Sequence, residues 1–418
     1  MSDTESTDLP DSRLAEVVRR ESGLIVAALT RDLRNFDLAE EAVAEAVAKA
    51  LVGWRSTGVP DRPGAWLTTV ARRYAVDRLR SPVSTRVVLT GDPDVGPEPS
   101  WSEPTSAIRG DGRVAMLFGC CHPSLAVEAR LALTLRAVLG VTTAQIAAAF
   151  LQPEPTIAQR IVRAKRKIVA NGIALAVPDS DDLAARLHDV LTVVLLAYNA
   201  RFLEPADPAP GPHPRADRLT EDAIWLAGLI ATELPHEPEA MGLLALLMLH
   251  ESRAAARFDP HGRLILLADQ DRGRWDHPTI ARAERLLERA ALYRRPGRFQ
   301  LMAAIAACHA SAPSTEETDW LQVLTLYDLL LTHDPSPVVR LNHAIALAEV
   351  LGPEAGLSEL DSLGDSLAAY HLFYAARADL LRRCGRLDDA RIADQRALDL
   401  TTNAAERNLL TDRLTSAL

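Results

Sequence analysis

Residues 126–172 read AVEARLALTLRAVLGVTTAQIAAAFLQPEPTIAQRIVRAKRKIVANG. Apolar side chains recur every three to four positions through 126–139, and that run stops at Gly140. Thr142 and Thr143 are capping types placed just ahead of AQIAAAF. LQPEP then makes a tight turn, and Thr156 opens a last helix rich in Arg. A helix, a short turn with Pro and a second basic helix form the helix-turn-helix pattern.

The helical wheel separates two faces of the last helix. Ile157, Ile161, Ala164 and Ile168 form one stripe and are expected to pack inward. Thr156, Gln159, Arg160, Arg163, Arg166 and Lys167 fill the opposite arc, with Lys165 at its flank. A recognition helix sets its N-terminal residues against base edges and its later cations near phosphates. Thr156, Gln159, Arg160 and Arg163 are therefore candidates for base reading, and Arg166, Lys167 and Lys165 for the backbone. The competing reading is a solvated basic face on a structural helix.

The 3.6-residue period extends over nearly all of the chain, and no period-2 runs interrupt it, so the expected class is all-α. Pro and Gly crowd the stretch from Ser81 to Gly112, which reads as a flexible linker. Further breaks fall at Pro178–Asp182 and Glu204–Arg215. The expected units are 10–80, the linker 81–112, a helix-turn-helix unit 113–175, a helical extension 183–300 and repeats over 301–418.

The chain has 418 residues, 48% of them hydrophobic and 24% charged, which is ordinary for a soluble globular protein. Four cysteines exclude a disulfide scaffold and fit a reducing compartment, so a cytoplasmic location is expected. The N-terminus is acidic and polar, unlike a secretory signal, and no apolar stretch is long enough to span a bilayer. The net charge of −10 argues against a uniformly basic nucleic-acid binder. The charge is uneven, however: residues 1–175 sum to +2 and residues 176–418 to −12.

Upstream, 37–54 is an amphipathic helix with Asp37, Glu40, Glu41 and Glu45 on one face and Ala44 at its centre. Ala39, Val43, Ala46, Val47 and Ala50 make its buried face. The acidic face is either solvated surface or a dock for a basic partner. In 59–80, Leu67, Val70, Ala71 and Tyr74 form the apolar stripe, with Thr69, Arg72, Arg73 and Arg80 on the exposed side.

These ordered segments resemble a bacterial RNA polymerase sigma factor of the extracytoplasmic-function (ECF) group. Asp37-Leu38-Ala39-Glu40-Glu41 through Glu45 looks like its region 2.2, which docks the polymerase clamp. Trp66-Leu67, Ala71-Arg72 and Asp77-Arg78-Leu79-Arg80 resemble regions 2.3 and 2.4, which open and read the −10 element. Residues 126–171 are similar to region 4, which reads the −35 element. The resemblance thus assigns Asp37, Glu40, Glu41 and Glu45 to core RNA polymerase. It assigns Trp66, Thr69, Arg72, Arg73, Tyr74 and Arg80 to the −10 element of promoter DNA. Melting needs trapped single-stranded bases, and aromatics with cations suit that task. The family often has Gln where this chain has Ala44.

A protein limited to these parts would end near residue 180. In the remainder, Gly385, Ala390, Ala397 and Leu398 fall at tetratricopeptide-like offsets, and Gly352 and Gly385 lie 33 apart, near the 34-residue repeat. Pairs are expected at 338–351 with 353–363 and at 370–384 with the helix after Gly385, with half a repeat at Trp320–Leu331 and a cap at 404–418. FGCCHPSLAVEARLALTLR, LPHEPEAMGLLALLMLHESR and LLADQDRGRWD are similar to the ECF42-type subgroup, whose extension, by that resemblance, regulates or supports activity. The acidic extension is also a candidate for intramolecular contact with the basic helix.

Catalytic chemistry is poorly represented. Cys120-Cys121-His122 and Cys308-His309 lack the spacing of a closed zinc site, and His250-Glu251 lacks a second His. Asp269, Asp271, Arg272, Arg274, Trp275 and Asp276 are either acid–base machinery or a salt-bridged loop, and packing is the preferred reading. No enzyme activity, metal or cofactor is expected. The function expected is promoter-specific initiation with core RNA polymerase. The alternative is a helix-turn-helix regulator whose repeat domain senses a ligand or partner without polymerase.

Overall fold

A computed structural model describes residues 8–33, 35–80, 112–150, 152–200, 202 and 219–416. Among them lie eighteen α-helices, three short 3₁₀ turns and one isolated bridge between Phe258 and Leu264. The expected all-α class holds. The linker expected at 81–112, apart from Gly112, and the whole 204–215 break lie outside the described residues.

Contacts divide the described residues into two units. The first comprises α1 (Asp8–Leu33), α2 (Phe36–Thr57), α3 (Pro63–Arg80), α4 (Gly112–Cys120), α5 (Val127–Ala137), α6 (Thr143–Ala149), α7 (Glu154–Ala170) and α8 (Ser180–Asn199). Helices α1 to α3 pack on one another, and α4 packs on α1. At that seam Gly23 lets the chains approach closely, since a Cβ there would lie 3.2 Å from the Val138 carbonyl oxygen.

Local chemistry fixes the helix starts. Asn35 caps α2 by accepting from the Leu38 amide at 3.0 Å, and Thr142 forms a capping box with Gln145 at the start of α6. Helix α7 starts at Glu154, two residues before the expected Thr156. Pro155 sits in its first turn, where a missing amide hydrogen costs nothing.

Helix α8 completes the first unit. Arg130 of α5 is 9% exposed and bonds Asp189 of α8 at 2.6 Å. It also donates to the Leu125 and Pro123 carbonyls at 2.8 and 2.9 Å. Leu187, Val190, Leu191 and Val194 of α8 are buried.

The second unit runs from Ala223, inside α9 (Leu219–Glu233), through α10 (Pro238–Glu251), α11 (His277–Ala291) and α12 (Arg298–Ser311). Glu239 of α10 caps α12, accepting from the Phe299 and Gln300 amides at 2.9 and 3.1 Å. Then come α13 (Trp320–His333), α14 (Pro337–Leu351), α15 (Pro353–Asp361), α16 (His371–Arg383), α17 (Leu387–Leu400) and α18 (Ala404–Ser416). The helix–Gly–helix layout is present, with Gly352 and Gly385 turning at φ 96° and 74°. Leu341, Ala344, Leu360, Phe373, Leu380 and Ala390 share one core.

Candidate functional site

Helix α2 buries Ala39, Ala42, Val43, Ala46 and Ala50, with Val47 half-buried. This leaves Asp37, Glu41 and Ala44 exposed and Glu40 and Glu45 half-buried. The face is not merely solvated. Glu41 accepts from the Tyr74 hydroxyl at 2.6 Å and lies 3.7 Å from Arg78. That hydrogen bond, with burial, raises the Tyr74 phenol above its ordinary pKa. Glu45 pairs with Lys49 at 3.4 Å, one helical turn on.

Asp37 and Glu40 have a partner from the other end of the unit. Lys165 of α7 reaches Asp37 Oδ1 at 3.0 Å, bonds Glu40 Oε2, and lies 5.2 Å from the Phe36 ring centroid. Its side chain is 10% exposed, against 20% for Glu40 and 76% for Asp37. The flank position expected for Lys165 among the DNA-facing cations is thus corrected. It lies about 40° around the wheel from Ile161, on the buried side.

The −10 candidates are distributed differently from the expectation. In α3 the buried residues are Leu67, Ala71 and Ala75, while Val70 and Tyr74 are half-buried. Arg72 is also half-buried and faces Asp32 of α1 at 3.5 Å. Trp66 is half-buried with its ring edge-on to buried Trp54, centroids 5.3 Å apart. Thr69, Arg73 and Arg80 are exposed. With Trp66 they span an arc of about 60° on one side of the helix. Arg72 and Tyr74 fall to either side of that arc and tie α3 to α1 and α2.

On α7 the inward stripe is as expected: Ile157, Ile161, Ala164 and Ile168 are buried. Thr156, Gln159, Arg163, Arg166 and Lys167 are exposed. Arg160 is half-buried and donates to Gln152 at 3.3 Å, and Lys167 bonds the Ser124 carbonyl. Leu125, Ala126 and Ala129, at the start of α5, form a groove with this basic face. The face can therefore meet a polyanion without first breaking a buried contact.

The motifs considered for chemistry are absorbed by packing. Cys120 and Cys121 are fully buried, and burial pushes the Cys121 thiol up to about 12. His122 bonds Ser124 at 2.8 Å. Among the described residues no three His, Cys, Asp or Glu side chains are grouped to hold a metal. Asp271 and Asp276 cap the segments after them, and Arg272 donates to the Ala312 carbonyl at 2.9 Å while stacking on Trp275. Burial lowers His250 to about 3 and His309 to about 4.

The Lys165, Arg72 and Arg130 pairs all join distant segments, so their partners carry no periodic signal. Arg130 gave one clue: it falls on the buried side of an amphipathic helix, where a charge needs a partner.

No described helix is long and apolar enough to cross a membrane. No solved structure matches the chain. An uncharacterized protein of Rhizobium meliloti (strain 1021) is 42% identical over 387 residues, covering 91% of this chain and 90% of that protein. Family models match at residues 17–83 (sigma-70 region 2), 115–168 (sigma-70 region 4) and 186–291 (a family of unknown function, DUF6596). The region 4 match covers the helix-turn-helix with its exposed cations, and the region 2 match covers the acidic and basic faces of α2 and α3. The chain therefore belongs to the sigma-70 family, as an ECF-type sigma factor that directs transcription and carries a helical C-terminal extension.

Proposed function

We propose that this chain binds core RNA polymerase through the acidic face of α2 and places it on promoters by a two-part reading. The stripe of Trp66, Thr69, Arg73 and Arg80 engages the −10 element, with Arg72 and Tyr74 holding α3 in position. Thr156, Gln159, Arg160 and Arg163 read −35 base edges, and Arg166 and Lys167 take phosphates. The observation that carries the reading is the exposed basic arc on the second helix of a capped helix-turn-helix, set in a chain that also matches region 2. The role is non-enzymatic and belongs in the cytoplasm, and the extension regulates or supports initiation.

Size-exclusion chromatography with core polymerase tests this. Co-elution with core, and weak duplex binding by the chain alone, is the expected result. Tight, sequence-specific duplex binding without core, and no co-elution, would instead establish the stand-alone regulator with a sensing extension.

A further inference from the structure

Only three lysines occur in the chain, against 43 arginines. One of them, Lys165, is buried between two carboxylates on a helix from the other matched region. Phe36 lines the same position, so the ammonium group meets two anions and an aromatic ring. Glu40 forms the closed side, and Asp37, 76% exposed, leaves the other side open to solvent. The ammonium position is thus flanked by one enclosed carboxylate and one exposed to solvent.

The carboxylates that hold Lys165 are two of the four assigned to polymerase under the proposed function, on which this inference rests. We propose that Phe36, Asp37 and Glu40 form a socket for a cationic side chain of core RNA polymerase, and that Lys165 fills this socket in the free chain. Polymerase then competes with the recognition helix for one site. The base-reading arc of α7 points away from the socket, so Arg163 and Arg166 stay exposed while it is filled. Filling the socket instead ties α7 to α2, and docking releases it. Gly23, at the seam between α1 and the α4–α5 side, is a second contact of the closed form.

A zero-length carbodiimide coupling reads the socket directly, because it joins an amine to a carboxylate already in contact. In the full-length chain it should link Lys165 to Asp37 or Glu40, located by peptide mass spectrometry. Saturating core polymerase should suppress that link. Lys165→Ala should bind core at least about fivefold tighter, since the competing state is removed. Gly23→Leu, which alters no charge, should shift affinity in the same direction. A link that persists in the polymerase complex, or unchanged core affinity in both variants, would overturn the socket while leaving the proposed function intact. If neither the wild-type chain nor any variant binds core, the proposed function fails and the socket with it.

Discussion

Arg163 and Lys165 are two positions apart on α7, and one is exposed while the other is 8% exposed. The wheel accounts for Arg163, which lies opposite the isoleucine stripe. Lys165 lies about 40° from Ile161, on the buried side, where a charge needs a partner. The partner is 125 residues away at Glu40, and nothing local announces it. Arg163→Ala should weaken promoter-directed initiation by about 1–3 kcal/mol at the barrier while leaving core binding intact. Run-off transcription on −35 variants checks it: the wild type discriminates among them and the variant does so less. Arg130 makes a different case, since it anchors structure. Arg130→Met removes a pair to Asp189 and two carbonyl bonds, and should cost about 2 kcal/mol or more in urea unfolding.

At the level of elements, period and punctuation carried most of the information. Gly140, Thr142, Gly352 and Gly385 marked real ends or turns, and the helices after Trp320 fall within a few residues of their expected positions. Helix α7 starts ahead of Thr156 because Pro155, a loop signal in sequence, is well tolerated in a first helical turn. The crossing of α10 with α12 was not legible. It depends on Gly242, whose added Cβ would sit 2.6 Å from the Gln300 nitrogen, a backbone clash. Gly242→Ala should therefore destabilise by about 1–3 kcal/mol despite its better helix propensity. The same two helices carry His250 and His309, held neutral by burial at about 3 and about 4 against an ordinary 6.5. The unfolded chain takes up those protons first, so their neutral burial is fully stabilising above about pH 6.5. That stability is lost progressively as pH falls toward 3–4. Thermal unfolding at pH 5 should show a lower midpoint than at pH 7.5, and His250→Gln should reduce the difference.

For the whole molecule, the net charge of −10 conceals two parts that differ in sign, and the basic arc of α7 lies in the near-neutral part. The boundary between the parts is less simple than the linkers suggested. Helix α8, read from sequence as the start of the extension, packs with α5 in the first unit. A chain ending at Ala200 should unfold cooperatively, whereas one ending at Asp182 exposes the surface under Leu187, Val190 and Val194 and should melt lower by circular dichroism. The more direct test concerns what the assembled surfaces do. The full-length chain, mixed with core polymerase and fragments of its own genome, should yield run-off transcripts absent with core alone. Those transcripts should share one pair of spaced upstream elements. Tight binding to core with no new transcript from any fragment would contradict the account.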